Sequence, residues 1–178
     1  MTSPYRHLDQ RELHRLFLDR ISSYVRGRDS LDGKPLEVDL KPPLPTKIRV
    51  YLYNATTPPG GRPYGECKAQ LIVPGQSRGE RSNFDHSGSR IVLLVGYNKK
   101  HDVYILWDAN LHVNFSYSKN VQINSSTLYD ASAGKTSTQK RHLYSVSVKE
   151  IVVAVPAMDL DEGIRKRVAI TRSQMSSR

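Results

Sequence analysis

Glu66-Cys67-Lys68 is the tripeptide whose residue types and spacing could do chemistry. On a strand, residues i and i+2 share a face, so this carboxylate and ammonium would project together. With an acidic residue from a neighbouring strand, such an E-x-K motif holds Mg²⁺ between two carboxylates while the lysine assists the attacking water. The chain does not supply that partner nearby. No Asp or Glu occurs between Asp39 and Glu66, and Asp39 falls in a proline-rich stretch. Glu66 and Lys68 therefore read as an ion-paired strand end, and a Mg-dependent nuclease centred on them is the alternative.

Other catalytic patterns fail on spacing. Ala133-Gly134-Lys135-Thr136 ends like a phosphate-binding loop, but the position of its first glycine is Tyr129. His7, His14, His86, His101, His112 and His142 are scattered, without zinc-ligand spacing, and no serine stands in a G-x-S-x-G turn. The single Cys67 excludes an intramolecular disulfide framework. The sequence implies neither a catalytic centre nor a cofactor.

Charge points to a partner instead. The chain carries a net charge of +10, and residues 47–156 hold fourteen basic against seven acidic side chains. A basic surface of this kind suits a polyanion. Three polar segments could present it. Asn54–Tyr64 ends in a Gly/Pro-rich loop with Arg62 and Tyr64. Gln76–Arg90 carries Arg78, Arg81, Asn83 and Arg90. The stretch after Trp107 interleaves His112, Asn114, Tyr117, Lys119, Asn120 and Gln122 with apolar residues. Arginine, asparagine and glutamine fork onto base edges, and tyrosine or histidine can stack on an exposed base. The plainer alternative is that the charges are solvated while Phe115 and Tyr117 pack inward.

The elements that must position these residues follow from hydrophobic period. Leu8, Leu13, Leu16, Phe17 and Ile21 recur at helical spacing over Arg6–Val25. Residues 26–46, with four prolines, read as an extended connector. From Lys47 the period becomes two, with strands expected at Lys47–Tyr53, Glu66–Val73, Arg90–Tyr97, Asp102–Asp108, Val113–Tyr117, Val121–Asn124 and, in one or two pieces, Tyr144–Val155. Arg90–Asp108 is nearly continuous in apolar residues and belongs at the centre of the sheet. Met158–Ile170 closes the chain as a short helix. The expected fold is mostly β with flanking helices, an open seven-stranded β-barrel. Residues 1–46 would pack on it, residues 47–172 would form it, and 173–178 would fray. With no apolar run long enough to cross a bilayer and no secretory leader, the expected setting is the cytoplasm.

PPGGRPYGECKAQLIVPGQ, FDHSGSRIVLLVGYNKKHDVYILWDANLH, YSKNVQI and EIVVAVPAMDL together resemble the B-three-like pseudobarrel DNA-binding modules of bacterial restriction endonucleases, of the EcoRII, BfiI and NgoAVII type. The resemblance implies a barrel with two arms gripping the major groove of double-stranded DNA, and no enzymatic activity of its own. On the matched arms it implies base contacts from Arg62, Tyr64, His112, Asn114, Tyr117, Lys119 and Asn120. Arg78, Arg81, Lys99 and Lys100 are then candidates for phosphates. A nuclease or nucleotide-hydrolysing domain or subunit of a restriction system is the implied partner. Two rivals remain: a reader of methylated or flipped bases, with a cage from Tyr64, Trp107 and Tyr117, and a protein-interaction barrel.

Overall fold

The computed structural model describes residues 6–57, 66–144 and 146–177. Helix α1 (Gln10–Arg20) begins where Asp9 caps it. The Asp9 carboxylate accepts from the Glu12 N–H at 2.8 Å, and the Glu12 carboxylate accepts from the Asp9 N–H at 2.9 Å. Such a reciprocal cap stabilises a helix start by about 1 kcal/mol. The helix buries Leu13, Phe17 and Leu18 but stops at Arg20, short of the Arg6–Val25 span its spacing predicts. A 3-10 turn (Ser22–Tyr24) leads into strand β1 (Val25–Arg28). The expected connector holds another strand, β2 (Leu36–Leu40), whose Leu36, Val38 and Leu40 enter the core.

Strands β3 (Lys47–Asn54), β4 (Cys67–Leu71), β5 (Arg81–Ser82), β6 (Ile91–Asn98) and β7 (Val103–Trp107) follow. After a 3-10 turn (Ala109–Leu111) come β8 (Phe115–Ser116), β9 (Lys119–Ile123) and helix α2 (Ser125–Ser132). Strands β10 (Ser137–Leu143) and β11 (Val148–Pro156) and helix α3 (Leu160–Ser176) complete the chain. Helix α3 runs past the expected Ile170 into the segment read as a frayed end.

Seven strands form one sheet in the order β1-β2-β3-β6-β7-β11-β10. Only β3 and β6 run parallel, and every other neighbour is antiparallel. The strand number and the helix at each end match expectation, but β1 and β10 stay apart and the sheet does not close. The pseudobarrel is therefore corrected to an open mixed sheet. The physical reason lies in its two covered faces. One face packs Leu13, Phe17 and Ile21, from α1 and the residue after it, and Leu160, Ile164 and Val168 of α3. The other packs Cys67, Ala69 and Leu71 of β4, Val121 and Ile123 of β9 and Leu128 of α2. Strands expected in a barrel wall instead pair as β4–β9 and β5–β8, forming a layer over that second face.

Central strands β6 and β7 are apolar without alternation because both of their faces are covered. Gly96 on β6 makes this possible. A Cβ there would lie 2.8 Å from Trp107 Cζ3 and 3.0 Å from the Ala55 Cβ, so the indole occupies the missing side chain's space.

Candidate nucleic-acid interface

The register gives the sheet two distinct ends. At one, Asn98 pairs with Val103 and the β6–β7 turn carries Lys99 and Lys100. The segment after β3 leaves at this end: the Ala55 N–H donates to Tyr97 O at 2.9 Å, and the Asn98 amide donates to Ala55 O at 3.0 Å. At the other end, β7 finishes at Trp107 and the chain enters residues 108–120. The length of β7 separates the two, roughly 15 Å at 3.3 Å per residue. The two segments expected to act as arms thus leave from opposite ends of β7. Arg62 and Tyr64 lie outside the described residues.

The Trp107 end is built on buried charge. Glu150 on β11 is 0% exposed, and its Oε2 accepts from the Asp108 N–H at 2.9 Å and lies 2.7 Å from His112 Nε2. His112 Nδ1 lies 3.4 Å from the Lys119 ammonium, and Arg167 of α3 sits 3.5 Å from Asp108 Oδ2. Burial draws the Lys119 amine below its ordinary value; Glu150 opposes that shift and Arg141 adds to it. Burial lowers the Arg167 guanidinium as well, against Asp108 and Glu150. This cluster locks residues 108–112 onto β11 and α3. His112, 2% exposed, is part of that lock and does not present its ring edge to a base. A histidine next to apolar residues gives no hint that its partner lies on a distant strand.

The rest of this end is held from two sides. Arg81 donates to Asn114 O at 2.8 Å and the Asn114 N–H donates to Asn83 Oδ1 at 2.7 Å, which fixes the β5–β8 pair. Beneath it Phe84 packs on Phe115, with ring centroids 4.9 Å apart. The Gln76 amide donates to Glu80 O and Phe115 O, and Arg90 pairs with Glu37 and Asp39. Gln76, Asn83 and Arg90 are therefore committed to structure, while Arg78, Asn114 and Asn120 stay exposed and Tyr117 and Lys119 half-exposed. Lys99 and Lys100 belong to the opposite end.

The aromatic-cage reading loses one of its walls. Trp107 is 0% exposed and its Nε1–H donates to Gln122 O at 3.0 Å, so it cannot wall an aromatic cage. Glu66 and Lys68 face each other at 3.9 Å, both partly exposed, as the ion-paired strand end expected. Among the described residues no group of three or more His, Cys, Asp or Glu could hold a metal ion.

None of the contact residues expected from the sequence lies on the β10–β11 hairpin. Leu106 pairs with Val153, so residues 148–151 run beyond the end of β7. Lys140, His142 and Lys149 are exposed on it, and Tyr144 at its tip is 86% exposed. The signal was present as charge: residues 109–149 hold five Lys or Arg and one acidic residue, Asp130.

Residues 46–163, more than half of the chain, match the family model of the Methylase-associated X1 domain. The chain belongs to that family. The family's name associates it with methylases, and the B-three-like resemblance finds no separate support. No similarity to a curated protein or to a solved structure is found. In this X1 domain the matched region runs from the residue before β3 into the first turn of α3, so it includes the Trp107 end apart from Arg167 of α3 and the Glu37 and Asp39 partners of Arg90. No helix among the described residues is long and apolar enough to cross a membrane.

Proposed function

We propose that this X1 domain binds double-stranded DNA sequence-specifically through the Trp107 end of its sheet, and so addresses a methylase or restriction effector to its site. The observation that carries the reading is the charge of residues 109–149. Five basic residues and one acidic residue lie in the stretch that supplies both the segment after β7 and the projecting hairpin. Arg78 and Lys119 are suited to phosphates, which set register on the duplex. Asn114, Tyr117 and Asn120 offer amide and phenol groups to base edges in the major groove. Arg81 does both jobs in part, since its bond to Asn114 O fixes the backbone that carries the amide. The domain supplies recognition, and the chemistry belongs to the methylase or effector partner.

Selection of bound duplexes from a random pool, with and without cytosine and adenine methylation, tests this. An enriched motif whose binding weakens steeply with salt is expected. A featureless pool would refute sequence recognition.

A further inference from the structure

We infer that the β10–β11 hairpin is the element that enters the DNA groove, with Tyr144 at its tip reading bases and Lys140 and Lys149 holding the flanking phosphates. This rests on the DNA reading above and assigns roles to hairpin residues that it counts only as charge. Three observations carry it.

The first is reach. The register that pairs Val153 with Leu106 leaves Val148, Lys149, Glu150 and Ile151 beyond the last residue of β7. Glu150 and Ile151 are held against Asp108, His112 and Arg167, so the free overhang is Val148 and Lys149, roughly 7 Å at 3.3 Å per residue, before the turn is counted. A two-stranded ribbon of this kind fits the major groove, which is about 12 Å wide.

The second is the sorting of charge across the ribbon. His142 lies opposite Lys149, and Lys140 shares their face. The other face carries Arg141 and Glu150 as direct partners. Glu150, the hairpin's only carboxylate, is turned into the interior against His112. The solvent-facing part of the hairpin is therefore cationic without an acidic group to repel phosphates.

The third is an exposed tip. Tyr144 is 86% exposed with its ring 4.5 Å from that of His142, and Val146 is also exposed. A tyrosine and a valine left in water at the end of a cationic ribbon gain burial once they meet base edges, where apolar contact with a thymine methyl discriminates. The root does not share this openness. Arg141 donates to Gln122 O and Arg167 to Ile151 O, so the ribbon is anchored to β9 and α3.

The test measures binding of the full chain to its selected duplex and to a scrambled one across a salt series. Lys140→Gln/Lys149→Gln should weaken binding about 50-fold at 0.1 M salt and reduce the salt slope by about 2, as expected for two lost phosphate contacts. Tyr144→Ala should lower the preference for the selected duplex about tenfold and leave the salt slope unchanged. Lys99→Gln/Lys100→Gln, at the opposite end, should change neither. Hairpin variants that bind like the wild type, or opposite-end variants that lose as much, overturn the hairpin assignment and leave DNA binding standing. A wild-type chain that binds no duplex overturns the reading beneath it as well.

Discussion

Replacing Glu150 by alanine should be the most damaging single change at the Trp107 end. In one step it removes the acceptor for the Asp108 N–H and the partner of His112, and it leaves Arg167 with one fewer carboxylate nearby. Breaking a buried charged pair by deleting one partner costs about 3–5 kcal/mol. For a chain of this size each kcal/mol lowers Tm by about 2–4 °C, so the midpoint should fall by roughly 6–20 °C. Glu150→Gln is the informative companion. Its amide oxygen can accept both bonds that Oε2 accepts now, and its NH2 would occupy the place of Oε1, which has no hydrogen-bond partner. Charge is then lost but shape is kept, and the cost should be about 1–2 kcal/mol. Thermal and urea unfolding of both variants, beside the wild type, measure the difference. If alanine costs less than about 1 kcal/mol, or no more than glutamine, the cluster does not hold residues 108–112 in place and the account of this end fails.

Other changes isolate single contacts. Buried His14 donates from Nδ1 to Leu31 O at 2.7 Å while the Gln10 amide faces its Nε2 at 2.7 Å, a neutral arrangement. Burial lowers its pKa from the ordinary 6.5, so the unfolded chain takes up the proton first and stability should decline as pH falls below 6.5. Tm measured from pH 5 to 8 should show a shallower acid limb in His14→Gln, and identical limbs would refute this. Gly96→Ala should cost about 1–3 kcal/mol by forcing Trp107 out of its place, measurable by urea unfolding. Glu66→Gln should change stability by less than about 1 kcal/mol and leave DNA affinity unaltered. Mg-dependent nicking that disappears with Glu66 would restore the nuclease alternative.

The apolar parts of the fold were legible and the polar ones were not. Ile91–Asn98 and Val103–Trp107 announced a central hairpin because burial on both faces leaves an unbroken apolar run. Ser137–Leu143 contains one aliphatic residue, and only its pairing with β11 makes it a strand. Leu36–Leu40 does alternate, but five residues between prolines look like connector. Among candidate contacts, Arg78, Asn114 and Asn120 are exposed as a binding role needs. His112 was misplaced because its role is set by Glu150, 38 positions away. Closure into a barrel could not be judged from strand number, since the sheet's shape depends on which strands leave it for the second layer.

The parallel seam between β3 and β6 has a consequence for the forty-six residues before it. The family match begins at Thr46, so β1 and β2 lie outside it, yet β2 pairs along Leu36–Asp39 with the free side of β3. Without them β3, buried from Ile48 to Leu52, would be an open edge offering its N–H and C=O groups to another chain. The N-terminal segment thus acts as an edge guard that keeps the sheet from extending into a neighbour. A chain shortened to begin at Thr46 should self-associate in light scattering at concentrations where the full chain stays dispersed.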